Sequence, residues 1–410
     1  MNILMLSSTF PYPPTKGGTQ VRTFHLLNYL QQTHDVTVLT QRTDDVTDAD
    51  VAALREHVTE LVVFPRPQPT ASSGLAGKAA RFATFLQQGT PPSVLSSYSV
   101  EMQAWIDRAM QDQKFDVITC EHSVNESYIR PEFRQHIQTV VNVHSSVYGS
   151  CKNQLHTQTS ENAWRDRLNL PLLKRYEQRY CKKFLNIVVT TDDDRNQLSQ
   201  FNPTAAIDVI PNGVDFSTFP YRTSDPGGHH LVFIGAMDNL ANIDAARFLS
   251  LEILPAVQNR YPDATLAIVG SRPTAEVQEL SQQPGITVTG RVPSMAEYLH
   301  QATACVISMR TGYGIKNKTL EAMAAGTPVI ASDRGLEGLA VDGKNPQRAL
   351  RANSVSEYVD AISRVFEDDD LRSQLSQNAR SLVQSEYTWE RAGHRYLSVL
   401  EQKSLREKTF

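Results

Sequence analysis

Twelve short apolar runs, separated by stretches long enough for helices, constrain this chain more than any other feature. In the first half they are NILML (2–6), VTVLT (36–40), LVVF (61–64), DVITC (116–120), TVVNV (139–143), NIVVT (186–190) and IDVI (207–210). In the second half they are LVFIGA (231–236), TLAIVG (265–270), ITVTG (286–290), ACVIS (304–308) and PVIAS (328–332). Runs apolar on both faces demand cover on both sides, which predicts parallel strands flanked by helices. The pattern occurs twice, so the fold class expected is α/β with two doubly wound, Rossmann-like domains. A length of 410 residues agrees, being too much for one ordinary core. The turn formers of SDPGGHH (224–230) place the division, giving domains over 1–223 and 224–387. The amphipathic stretch TWERAGHRYLSVLEQ, within a C-terminal helix over 388–410, is expected to pack back on the first domain. Ligands of open α/β sheets sit beyond the carboxyl ends of the strands, so a deep interdomain cleft is the expected site.

Composition removes several classes of function. A formal net charge of −4 leaves no excess cation for a dedicated nucleic-acid binder. No apolar stretch approaches the roughly 18–20 residues that span a bilayer. The start, MNILMLSSTFPYPP, lacks a basic n-region and a long h-region and reads as a buried strand, so a cytoplasmic protein is expected. Cys120, Cys151, Cys181 and Cys305 form no CxxC pair and read as reduced thiols.

The stretch TGYGIKNKTLEAMAAGTPVI (311–330) concentrates the chemistry. It follows the strand ACVIS and opens a helix, whose N-terminus offers free N–H groups and partial positive charge to a phosphate. Gly312 and Gly314 let the backbone approach a ligand closely. Arg310, Lys316 and Lys318 supply charge to neutralise a diphosphate. Glu321, one turn into the helix, can accept two ribose hydroxyls. The alternative is plain surface pairing, since Lys318 and Glu321 are spaced i,i+3 and such pairs contribute ~0.2–0.5 kcal/mol. Clustering of glycines and cations where a strand ends favours the ligand.

The string R-x-G-x-G-x-K-N-K-x-L-E-A-M-A-x-G-x-P-V (310–329) resembles the donor-site motif of retaining glycosyltransferases of family 4, which have the GT-B architecture. TFPYPPTKGGTQVRTFHLLNYLQQTHDVTVLT, VIPNGVDFSTF, FIGAMDNLANIDAARFL, IVGSRP and VTGRVPSM agree with that family in order and spacing. The resemblance covers nearly the whole chain, apart from residues about 65–115 and 145–180. It implies that Glu321 is the second glutamate of the E-x7-E motif, which holds the nucleotide ribose. The first glutamate falls on Tyr313, a departure that leaves the usual contact to the transferred sugar without its residue. The resemblance further places Gly17 and Gly18 against the diphosphate, Gly235 and Asp238 after the first strand of the second domain, where the family's nucleotide-binding loop lies, Ile315 among the donor-binding residues, and His144, at the end of TVVNV, by the donor sugar. Glu121 and His122 end the neighbouring strand and are read as strand-end residues or acceptor lining, with the former favoured. Asn212 and Gly213 read as structural.

Two aspartate triplets, 192–194 and 368–370, invite a metal-bound nucleotide, but each precedes a helical pattern where acids cap and favour the dipole. No metal and no cofactor are expected. The basic helix LLKRYEQRYCKKF (172–184), with GKAARFATFL (77–86), is a solvated face or a peripheral contact with the inner membrane surface. The expected activity is transfer of a sugar from a nucleotide-diphosphate sugar to a sugar, lipid-linked or other hydroxyl acceptor, in polysaccharide, glycolipid or other glycoconjugate synthesis. Retention of anomeric configuration without a metal is what the resemblance implies, with His144, Arg310 and Lys316 as the catalytic set. A sugar-nucleotide epimerase of similar architecture and a non-catalytic sugar-nucleotide-binding protein stand as alternatives.

Overall fold

The computed structural model describes residues 1–15, 17–67, 75–341 and 346–402, with the backbone alone over 75–81. Seven strands form one sheet: β1 (Asn2–Ser7), β2 (Asp35–Arg42), β3 (Glu60–Pro65), β4 (Val117–Glu121), β5 (Gln138–Val143), β6 (Asn186–Val189) and β7 (Ala206–Val209). Their order is β3-β2-β1-β4-β5-β6-β7, and every pairing is parallel. Six more form a second sheet: β8 (His230–Ile234), β9 (Thr265–Val269), β10 (Ile286–Val288), β11 (Ala304–Ile307), β12 (Val329–Ala331) and β13 (Leu350–Arg351). Its order is β10-β9-β8-β11-β12-β13, again all parallel. In both sheets the strand order reverses beside the first strand, the doubly wound arrangement that the doubly apolar runs predict. All twelve runs became strands, because central strands such as Ile3–Leu6 and Leu231–Ile234 are buried on both faces. The two-residue β13 had no apolar run to announce it.

The chain divides into two compact units, Met1–Pro211 with Ala392 onward, and Asn212–Arg391. The first boundary therefore lies at 211/212 and not at 223/224. Residues 212–223 belong to the second unit through contacts that composition does not reveal. Val214 N–H donates to Tyr387 O at 3.0 Å, and Arg222 N–H to Ala325 O at 3.0 Å. A side chain at Gly213 would put its Cβ 2.3 Å from the Trp389 nitrogen, so the backbones cross there. The turn formers at 224–230 mark only the entry to β8. From Ala392 the helix Trp389–Glu401 lies in the first unit. Tyr396 OH donates to Glu121 Oε1 at 2.7 Å and Gln138 Nε2 to Val399 O at 2.8 Å. Residues 403–410 of the expected C-terminal helix lie outside the described residues.

Candidate functional site

In the second unit, the loop after β11 leads into the helix Asn317–Ala325. Leu320, Met323 and Ala324 bury one face of that helix, and Gly326 closes it in the left-handed conformation at φ 79°. No side chain caps its N-terminus and no acid lies in its first turn, so its dipole meets no anion of its own side chains. Gly312 and Gly314 sit at φ 102° and 79°, conformations that a side chain would strain. Ile315 is buried in the core of the second unit.

The cations of this stretch have different partners. Lys318 Nζ donates to Asn242 Oδ1 at 2.6 Å and lies 4.3 Å from the centre of the Phe233 ring. Asn242 is itself held, donating from Nδ2 to Ala236 O at 2.8 Å. Gly235 makes room for both: at φ 153°, a Cβ there would come within 2.9 Å of Lys318 Nζ and of Asn242 Nδ2. Burial lowers the Lys318 pKa to about 7, against the pull of Glu321. Burial likewise raises the half-buried Glu321 to about 7, opposed by Lys318. Its carboxylate has no hydrogen-bond partner among the described residues.

Arg310 and Lys316 do not present free charge. Arg310 forms a two-pronged contact with Asp244, Nε to Oδ2 at 3.0 Å and a second bond from its other nitrogen to Oδ1. Its guanidinium also stacks 4.7 Å from the Phe248 ring centre. Lys316 Nζ donates to Gly314 O at 2.5 Å and lies 3.4 Å from Glu337 Oε2, with Gly312 O at 3.5 Å. Glu337 also pairs with Arg334 at 3.1 Å, and Arg334 stacks 4.8 Å from the Tyr313 ring centre. Tyr313 thus packs on a cation where the family motif has an acid. Asn242 and Asp244 escape sequence reasoning because they lie more than sixty residues before the motif, and Glu337 because it lies beyond the next strand. Asp238 is occupied too, its carboxylate paired with Arg272 at 2.5 Å.

In the first unit, Gly17 precedes the helix Gly18–Leu30, and both glycines are exposed. Thr19 Oγ1 lies 3.3 Å from Nδ1 of His144, which follows β5. His144 Nε2 is enclosed with no hydrogen-bond partner among the described residues. Burial, with nearby His122 and Arg22, holds the His144 pKa well below the usual imidazole value. His122 follows β4, and its ring meets that of His144 edge-on, centres 5.1 Å apart. It has φ 85°, a sparsely populated conformation for a side-chain-bearing residue. Val124 N–H donates to its Nδ1 at 3.3 Å, and burial lowers its pKa to about 4. At neutral pH the ring is therefore uncharged with its proton on Nε2. The pairing of β4 with β5 sets Glu121 opposite Asn142 and brings the two histidines together, which spacing along the chain does not show.

Beneath them lies a buried network. Arg22 Nε donates to Asn142 Oδ1 at 3.0 Å, and Asn142 Nδ2 to Glu121 Oε2 at 3.0 Å. Glu121 is 1% exposed, with Tyr396 on its other oxygen, so it is a structural anchor and not acceptor lining.

The aspartate triplets begin helices. Asp368 caps Asp369–Glu386 by accepting from Leu371 N–H at 2.8 Å. At the other triplet the cap is Thr191, and the buried Asp194 accepts from Ser146 N–H at 3.1 Å. Among the described residues no group of three or more His, Cys, Asp or Glu is placed to hold a metal.

Comparison with known proteins supplies the context. Residues 16–218 match the model of Glycosyltransferase Family 4, and residues 228–368 that of Glycosyl transferases group 1. The chain is 26% identical over 238 residues to D-inositol 3-phosphate glycosyltransferase of Corynebacterium jeikeium, covering 50% of this chain and 54% of that one. It is 26% identical over 196 residues to a glycogen synthase of Mycobacterium tuberculosis, covering 45% of this chain and 46% of that one. The matched stretch thus spans about half the length of these curated relatives. Sucrose-phosphate synthase from Thermosynechococcus elongatus superposes with a TM-score of 0.71 at 20% identity, over 99% of each chain. Anabaena HepE in complex with UDP and glucose superposes at 0.65 with 14% identity, over 98% of this chain and 100% of that one. The architecture shared with these structures is GT-B.

Proposed function

Given that the chain belongs to the group 1, family 4 glycosyltransferases, we propose that it transfers a glycosyl unit from a nucleotide-diphosphate sugar to an acceptor hydroxyl with retention of configuration. The observation that carries this reading is the pair Lys318 and Glu321 on the helix behind the glycine loop. A buried cation on the first turn and an unpartnered carboxylate one turn on suit a diphosphate and the hydroxyls of its ribose. The uncapped helix N-terminus supplies further positive potential, and oriented donors of this kind are typically worth ~3–4 kcal/mol in a transition state. HepE, of the same architecture, was solved in complex with UDP and glucose, which supports a nucleoside diphosphate as part of the ligand.

The division of labour differs from simple charge counting. Lys318 contacts the leaving diphosphate. Lys316 holds the loop carbonyls in place and adds fixed charge, and Arg310 contributes from its pairing with Asp244. Gly17 and Gly18 leave backbone open for the diphosphate. The neutral His144 and His122 offer hydrogen bonds to the transferred sugar and not proton transfer, since neither imidazole gains a proton near neutral pH. The leaving phosphate oxygen takes the acceptor proton, so no strong base is required. No metal takes part in this scheme.

The test is incubation of the protein with radiolabelled nucleotide sugars and candidate sugar or lipid-linked acceptors, followed by product analysis. Labelled acceptor with the donor's anomeric configuration supports the proposal. Epimerised nucleotide sugar formed without acceptor, or tight binding with no product from any donor, replaces it with an epimerase or a binding protein.

A further inference from the structure

The helix Ala163–Tyr180 carries the most exposed large apolar side chain in the described residues, Trp164, at 77%. Leu168, one turn on, is 59% exposed. Pro171 is exposed and Leu172 half-buried, so positions 164, 168, 171 and 172 form one apolar stripe at helical spacing. A solvated helix face has no use for such a stripe: tryptophan and leucine left in water forfeit their burial energy.

The charges on this helix are sorted. Both of its acids point inward. Asp166 accepts from Ser160 Oγ at 2.6 Å, and Glu177 from Ser146 Oγ at 2.8 Å and Val147 N–H at 2.7 Å. Its cations Arg165, Arg167, Lys174 and Arg175 are exposed. Arg165 leans on Asp166 and Glu161, but Arg167, Lys174 and Arg175 have no ion-pair partner among the described residues. Arg167 lies 5.9 Å from the Trp164 ring centre, so charge and aromatic face share one patch.

The outward surface is therefore apolar from Trp164 to Leu172, with Arg167 and Lys174 along one edge and Arg175 continuing the stripe at its C-terminal end, on a protein whose net charge is −4. This patch shares Leu172, Lys174 and Arg175 with the basic stretch 172–184 that sequence alone singles out, but not the later cations of that stretch. Arg179 is consumed by Gln88 O, Gly89 O and Thr90 Oγ1, and Lys183 by Glu126. The side chains of 77–81, in the second basic stretch, lie outside the described residues.

We propose that the Trp164–Leu168–Leu172 face of this helix docks on an anionic phospholipid surface, lying in the plane of the interface. Tryptophan and leucine enter the headgroup boundary while Arg167, Lys174 and Arg175 meet lipid phosphates. The described residues contain no helix long and apolar enough to cross a membrane, so this contact is peripheral. It stands apart from the donor reading and survives or fails without it.

The experiment is sedimentation of the full chain with phosphatidylcholine vesicles, with and without phosphatidylglycerol. Wild type is expected to bind the anionic vesicles at least about tenfold more strongly than the neutral ones, and less in high salt. Trp164→Ser with Leu168→Ser should lower binding about tenfold, and so should Arg167→Glu with Lys174→Glu and Arg175→Glu. Thermal melting and the circular-dichroism spectrum, both unchanged, show that the variants fold. Equal binding to neutral vesicles, no binding to either, or wild-type binding by either variant overturns the proposal. A dimer in light scattering that the double serine variant abolishes overturns it in favour of a second copy of the chain.

Discussion

The loop around Lys318 and the strand ends around His144 are both polar places at carboxyl ends of parallel strands, yet they are built in opposite ways. At Lys318 the ionisable groups are brought to the edge of ionisation: Lys318 is lowered and Glu321 raised, each to about 7. At His144 ionisation is suppressed outright, with His122 held near 4, while the charges of Arg22 and Glu121 are sunk beneath in hydrogen bonds. The first arrangement suits a ligand that brings charge. The second suits one that brings hydroxyls. The predictions below are ways to break that contrast.

Glu321→Ala should have the largest effect, nearly abolishing transfer while the protein stays folded. Hydrogen bonds to a charged acceptor contribute about 1.5–3 kcal/mol each, so nucleoside diphosphate affinity should fall at least about tenfold. Unchanged affinity in calorimetry would return Glu321 to a mere helix partner of Lys318.

His144→Ala should cut the transfer rate by about a hundredfold, the usual effect of deleting one well-placed hydrogen-bonding group, and leave nucleoside diphosphate affinity nearly unchanged. The paired measurement of rate and affinity distinguishes the two regions: Glu321 moves both, His144 only one. Normal transfer by the alanine variant would reduce His144 to a packing residue.

Gly235→Ala should come next. Its Cβ would press on Lys318 Nζ and Asn242 Nδ2, each 2.9 Å away, in a backbone conformation that costs a side-chain-bearing residue about 1–3 kcal/mol. Donor affinity and melting temperature should both drop. Wild-type values for both would show that the glycine is incidental.

The smallest expected effect is that of chelation. Transfer should proceed at the same rate in excess EDTA, because Lys318 and the helix N-terminus supply the charge that a divalent ion would otherwise bring. Loss in chelator with recovery on added Mn²⁺ would assign the leaving-group chemistry to a metal.

Most of this fold was legible because both faces of its strands are covered. A strand such as Val232–Ile234 must be apolar throughout, and that leaves an unmistakable run. The boundary at 211/212 was not legible, since residues 212–223 join the second unit by backbone hydrogen bonds that any sequence can make. The glycine–lysine stretch before the helix Asn317–Ala325 stands out in the sequence, as its glycines, lysines and Glu321 lie within twelve positions. Its second layer does not. Asp244, Asn242 and Glu337 reach Arg310, Lys318 and Lys316 only through the folding of separate strands and helices. The same holds for His122: its place beside His144 depends on the β4–β5 pairing.

The most direct test of the central claim is the pH dependence of nucleotide-sugar binding, measured by calorimetry around neutrality. A nucleotide sugar is the right probe because its diphosphate does not titrate there. Lys318 binds the diphosphate only when protonated, so above its pKa of about 7 affinity should fall by up to about tenfold per pH unit. Glu321 accepts ribose hydroxyls best when ionised, so below about 7 affinity should fall as well. The two titrations are coupled and should appear as one bell centred near neutrality. Lys318→Met should flatten the alkaline arm and Glu321→Gln the acid arm. A pH-independent affinity in the wild type, or arms that persist in both variants, would contradict the assignment of Lys318 and Glu321 to the donor.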